Sequence, residues 1–157
     1  RQAKSLYANR GGVFASVRTG TPAVSRGLAA VDLDGDGLEE FVVANLGAAP
    51  AVYRVEGRRG NGVGLRLEGT KSNRSAIGAR VQVKVGEKTL TEEVRSGGSY
   101  ASQHDFAVYF GLGERNAVES VEIRWPNGET ERLGELAAGA MSRVREGSGV
   151  VGTTPWK

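Results

Sequence analysis

The chain contains no cysteine, which excludes disulfides, thiolate metal centres and a cysteine nucleophile. Its single histidine, His104, excludes zinc sites that need two or more imidazoles. Methionine occurs once and aromatic residues make up 6%. No apolar run approaches the ~18–20 residues of a spanning helix, so insertion into a membrane is not expected. No signal peptide is recognisable, and a chain starting at Arg1 in place of Met reads as processed or cropped. Charge of one sign is not concentrated either. Lys+Arg outnumber Asp+Glu 8 to 6 before Asn61 and 13 to 12 from there on, summing to +3. The tightest basic group is Arg54, Arg58 and Arg59, short of the focused stripe that nucleic acid requires.

Glycine is abundant. Its 24 residues with 4 prolines amount to 28 of 157, below the composition of low-complexity disorder. An interior glycine weakens a helix by about 1 kcal/mol relative to alanine, so this composition favours short strands joined by tight turns. From Gly62 onward the apolar pattern has period two. Leu65 and Leu67 share a face, as do Val81, Val83 and Val85, then Leu90 and Val94, then Phe106, Val108 and Phe110, then Val121, Ile123 and Trp125. Each run is short, rich in β-branched or aromatic residues and bounded by turn formers. Pro126-Asn127-Gly128 predicts a hairpin, with Asn-Gly suited to a type I′ turn. One helical turn is expected near Glu135–Met141. Gly60-Asn61-Gly62-Val63-Gly64 lacks the following helix of a dinucleotide fingerprint and reads as a linker. The expected division is therefore 1–60, 61–149 as an antiparallel β-sandwich, and 150–157 as a tail.

The first sixty residues carry a different signal. Tyr7 and Tyr53 sit in similar contexts 46 residues apart, close to the length of one propeller blade of about four strands. Between them, Asp32, Asp34 and Asp36 alternate, followed by Gly37 and Glu40. Carboxylates at positions 1, 3 and 5 can face one centre where glycine at position 6 permits a sharp turn. The Leu38 carbonyl at position 7 and Glu40 at position 9 can complete the shell. Hard oxygen donors with this spacing suit Ca²⁺ better than Mg²⁺. An EF-hand would need a glutamate at position 12, which is Val43, and helical flanks. The flanks Leu28–Val31 and Phe41–Val43 are strand-like, so the expected site is a calcium-binding β-hairpin.

With these residues in view, Gly27–Asn45 resembles an FG-GAP/VCBS-type repeat, the calcium-binding blade unit of many exported proteins. Leu6–Phe14 is similar to the strand and turn between neighbouring repeats. The region from about Gly62 to Gly147 resembles the ASPIC/UnbV domain. That match rests on Ser72-Asn73-Arg74-Ser75-Ala76-Ile77-Gly78-Ala79-Arg80-Val81, Ser96-Gly97-Gly98-Ser99-Tyr100, Phe110-Gly111-Leu112-Gly113 and Ile123-Arg124-Trp125-Pro126-Asn127-Gly128. Ser75 stands where that family often has Asp, and Glu40 replaces the usual Asp of the calcium loop. The resemblance implies an all-β chain with one propeller-like blade packed beside a β-sandwich. It also implies calcium binding, a secreted, cell-surface or periplasmic location, and a role in adhesion or extracellular interaction.

Other chemistry is weaker. Ser99, Ser102, His104 and Asp105 invite a hydrolase reading, but adjacent residues of a strand point to opposite faces and no Gly-x-Ser-x-Gly elbow exists. No enzyme is expected, though a pocket gathering carboxylates away from Asp32–Glu40 would favour one. Tyr100, Trp125 and Trp156 could stack on sugar rings, giving a carbohydrate-binding alternative. A single blade cannot close a ring. The expectation is that it packs on the second unit and leaves an edge or apolar face for a protein partner or a second copy, head-to-tail use giving a ring or filament.

Overall fold

The computed structural model describes residues 2–10, 12–54 and 60–157. Arg58 and Arg59 of the basic group lie outside them. The strands of the first unit are β1 (Gln2–Arg10), β2 (Val13–Ala23), β3 (Ser25–Val31), β4 (Glu40–Asn45) and β5 (Ala51–Tyr53). Those of the second begin with β6 (Asn61–Glu68), β7 (Arg80–Val85), β8 (Lys88–Glu93), β9 (Gly98–Ser99), β10 (Ser102–Gln103) and β11 (Val108–Gly113). They continue with β12 (Ala117–Val118), β13 (Ser120–Arg124), β14 (Thr130–Leu133), β15 (Leu136–Ala137), β16 (Ala140–Arg145) and β17 (Gly149–Pro155). The described residues are all-β. They contain no helix long and apolar enough to cross a membrane.

Two four-stranded sheets, β11-β6-β16-β17 and β14-β13-β7-β8, make the sandwich. The period-two runs meet between them. Val63, Leu65, Leu67, Val108, Phe110 and Val144 from one sheet pack on Val81, Val83, Val121, Ile123 and Trp125 from the other. Alternation along β7 and β13 puts one set of side chains in this core and the other outside. The sandwich is not purely antiparallel, because β6 runs parallel to β16, pairing Val63 with Ala140 and Leu67 with Val144.

Three local expectations are corrected. The Gly60–Gly64 stretch is no linker: β6 starts at Asn61, and Val63 and Leu65 are fully buried. Its glycines leave the opposite face of the strand bare, which a covering side chain can use. No helical turn forms at 135–141. Leu136–Ala137 pair with Ala117–Val118, and β16 follows. Of the expected 150–157 tail, residues 150–155 belong to β17, which pairs with β16.

The Pro126-Asn127-Gly128 hairpin joins β13 to β14, but its turn is not type I′. Gly128 has a φ of +91° while Asn127 does not share the left-handed region. Gly128 N–H donates to the Trp125 carbonyl at 2.9 Å and Trp125 N–H to the Glu129 carbonyl at 2.8 Å. This is the longer loop, a turn followed by a left-handed glycine.

The first unit comprises the β1-β2 hairpin and the three-stranded antiparallel sheet β3-β4-β5. It meets the sandwich along β3 and at the loop that follows it. Ala30 N–H donates to His104 Nδ1 at 3.0 Å, and Asp105 N–H to the Ala30 carbonyl at 3.0 Å. Lys157 N–H donates to the Gly35 carbonyl at 3.0 Å.

Candidate metal centre

The acidic loop links β3 to β4, which are registered from Gly27 opposite Ala44 to Val31 opposite Glu40. Gly35 and Gly37, with φ of +74° and +83°, let the chain curl where a side chain would strain it. Asp32 holds the curl from inside. Its Oδ1 accepts from Gly35 N–H at 2.8 Å and Asp36 N–H at 3.1 Å, and its Oδ2 from Gly37 N–H at 3.0 Å. Glu40 closes the loop, accepting from Leu33 N–H at 3.0 Å through Oε2.

Of the five expected ligands, the structure brings three carboxylates together. Asp32, Asp34 and Glu40 each offer an oxygen within 4.8 Å of the others. The Asp36 carboxylate instead accepts from Leu38 N–H at 2.9 Å and from Arg54. Leu38 enters this geometry through its amide. Arg54, overlooked in the sequence, is the local counter-charge. Its guanidinium lies 2.7 Å from Asp34, 2.5 Å from Asp36 and 3.9 Å from Glu40 Oε1. The hydrogen bond to Asp36, with the charge of Asp34, raises its pKa above the ordinary arginine value.

One guanidinium does not satisfy four carboxylates. Glu40 is 5% exposed, and its Oε1 accepts no hydrogen bond, nor does the buried Asp34 Oδ1. Buried acceptors without donors are costly. An all-oxygen donor set with two unserved oxygens fits a hard divalent cation, held by Asp32, Asp34 and Glu40. Asp36 could join them only by sharing or leaving Arg54.

A second cleft, of about 260 Å³, lies where the two units meet. It is lined by Glu39, Glu92, Glu93, His104, Asp105 and Tyr109 among others. This is the gathering of carboxylates that would favour an enzyme. Burial raises the Glu39 carboxyl above its ordinary value; His104 opposes this, while Asp105, Asp32 and Glu92 add to it. Burial, with the Asp32 charge next, likewise raises the Tyr109 phenol. Two lining groups are already committed to the fold, however. His104 Nδ1 accepts from Ala30, and Asp105 pairs with Arg66 and with Phe106 N–H.

Two of the four motifs of the second half meet at Glu146, which sequence patterning did not single out. It is 4% exposed. Its Oε2 accepts from the amides of Thr70, Lys71 and Ser72 at 2.7–2.8 Å. Its Oε1 accepts from Ser72 Oγ and Asn127 Nδ2, both at 2.9 Å. Burial pushes the carboxyl up, but these hydrogen bonds outweigh it and hold the pKa down to about 2. Ser72-Asn73 and Asn127-Gly128 are thus one junction, pinned by a buried anion. Glu131 does a similar job nearby, accepting from Trp125 Nε1 and from the amides of Gly147 and Gly149.

No curated protein matches the chain. A family described as ASPIC and UnbV matches residues 69–151, more than half of the length, which takes in the Glu146 junction and leaves the acidic loop outside. On that match, the chain belongs to the ASPIC and UnbV family.

Proposed function

We propose that the chain is a calcium-stabilised, non-enzymatic interaction module of an exported protein, in which Ca²⁺ binding at the acidic loop keeps a contact surface in shape. The observation that carries this reading is the pair of buried, unserved oxygens, Asp34 Oδ1 and Glu40 Oε1, beside Asp32. The Asp-x-Asp-x-Asp-Gly spacing between β3 and β4, similar to that of FG-GAP/VCBS-type repeats, supports the same ion and an extracellular setting. Once bound, the ion supplies charge neutralisation only. The chain's own residues orient the loop and exclude water from Glu40.

The surface that suits a partner lies on the first unit. On the β1-β2 hairpin, Leu6 and Val13 are exposed on one face and Tyr7 and Phe14 on the other, and exposed apolar side chains of this kind mark interaction sites. A groove of about 410 Å³ between that hairpin and the three-stranded sheet is lined by Leu6, Leu28, Phe41, Val43 and Tyr53. A protein partner or a second copy fits this face better than a sugar. Trp125 is core and Trp156 packs on glycines, leaving Tyr100, at 73% exposure, as the accessible ring of the three. The cleft at Glu39 supports a second reading, acid–base chemistry, which substitution of Glu39 together with Glu92 would expose in an activity screen.

Thermal melting with and without chelator, beside Asp34→Ala, tests the main reading. Calcium at 100 times Kd stabilises by about 2.7 kcal/mol, or roughly 5–10 °C for a chain of this size. The variant should lose that response. An unchanged melt on chelation, or equal chelator sensitivity in the variant, would refute the reading.

A further inference from the structure

Both glycines of the acidic loop are contacted by the two residues that follow β17. Lys157 N–H donates to the carbonyl of Gly35, between Asp34 and Asp36, at 3.0 Å. The indole of Trp156 sits so close to Gly37 that a Cβ there would stand 2.3 Å from two ring carbons. On the sandwich side, Cβ atoms at Gly62 and Gly64 would stand 3.3 Å from the same ring. The Tyr109 ring is tilted at 35° with its centroid 6.4 Å away. Trp156 N–H donates to the Gly139 carbonyl at 2.9 Å, and the preceding residues pair along β16. The indole therefore occupies a slot walled by glycines from two separate units. Its Nε1–H is buried and unpartnered.

These contacts fall on the backbone that aims the carboxylates. The loop carries Asp32, Asp34, Asp36 and Glu40 against Arg54, so without an ion its side chains repel one another and the curl tends to open. A ring filling the space over Gly37 and a hydrogen bond holding Gly35 oppose that opening before any ion arrives. Holding a site in its bound conformation strengthens binding by removing the ordering penalty.

We propose that Trp156 and Lys157 are positioning residues of the ion site: they hold its two glycine peptides in place, so that Ca²⁺ binding and docking of β17's end onto the loop strengthen each other. The inference rests on the calcium reading and extends it, making the ion a joint between the two units. Coupling of this kind is reciprocal. Whatever factor docking adds to ion affinity, the ion adds to docking.

The test uses the full chain with CaCl₂ as titrant, read by calorimetry and by indole fluorescence, and with Tb³⁺ luminescence excited through tryptophan. In the wild type the fluorescence change should share the calorimetric midpoint. Trp156→Ala should weaken Ca²⁺ binding about tenfold and abolish most sensitised Tb³⁺ emission, while Trp156→Phe should recover affinity to within about threefold. Lys157→Pro, which removes the amide donor and keeps the indole, should weaken binding about threefold to fivefold. It carries the test alone if Trp156→Ala no longer melts cooperatively in chelator. Wild-type affinity in both Trp156→Ala and Lys157→Pro would overturn the positioning role and leave the calcium reading standing. No calcium binding by the wild type would overturn both.

Discussion

Replacing Glu146 by glutamine isolates the junction on which the second half is built. The carboxylate receives three backbone amides on one oxygen and Ser72 Oγ with Asn127 Nδ2 on the other. A glutamine amide can keep its oxygen toward the three amides and turn its NH₂ toward Ser72 Oγ. It then confronts the Asn127 NH₂ with another donor, and Asn127 cannot simply flip, because its Oδ1 already accepts from Glu129 N–H. The charge assistance of every bond is lost as well. A carboxyl held at about 2 instead of 4.5 corresponds to an upper bound of roughly 3.5 kcal/mol, at about 1.4 kcal/mol per pH unit. Because the glutamine amide keeps part of these hydrogen bonds, we expect Glu146→Gln to destabilise by about 2–3 kcal/mol at pH 7. The depressed pKa makes this contribution complete above pH 4.5 and progressively lost as the pH falls toward about 2. Urea melts of both proteins at pH 7, 5, 3.5 and 2.5 measure it. The gap should be full at pH 7 and 5 and narrow below. A difference under about 0.5 kcal/mol at pH 7, or one that does not narrow on acidification, would refute the assigned role.

Two further outcomes follow from buried and charged neighbours. Leu65, fully buried on β6, should destabilise the sandwich by about 3 kcal/mol when replaced by alanine; a loss below about 1 kcal/mol in denaturant melts would mean that β6 does not run through the core. Arg54→Gln removes a positive charge that competes with a cation for Asp34 and Asp36. Calorimetry should find Ca²⁺ binding several-fold tighter, and melting in chelator a less stable chain, whereas weaker ion binding would make Arg54 a helper of the site.

Local patterning carried far in the sandwich. Val81, Val83 and Val85, or Val121, Ile123 and Trp125, alternate with polar neighbours, and a strand has no other way to separate them than by face. Loop spacing was legible in part, since Asp36 turns to Leu38 N–H and Arg54 instead of joining the other three carboxylates. Asp32, Asp34 and Glu40 converge because turn glycines at 35 and 37 leave the chain few routes. At Gly60–Gly64 composition and structure diverge. Glycines suggest a linker when neighbours are ignored, yet here they are the flat wall against which Trp156 lies. The Asn127-Gly128 dipeptide alone predicts a type I′ turn. Its asparagine is instead held by Glu146 and by Glu129, a demand invisible in five residues of sequence.

The amino-acid order by itself determined the β class, the strand faces and the acidic hairpin, since each depends on residues within a few positions of one another. Tertiary structure alone decided that β6 runs parallel to β16, that Arg54 shares the acidic site, that Glu146 gathers the 70–72 amides and that Trp156 covers Gly37. In each of these cases the interacting groups lie tens of residues apart, and no local preference of the chain distinguishes the partner that is chosen from the many that are not.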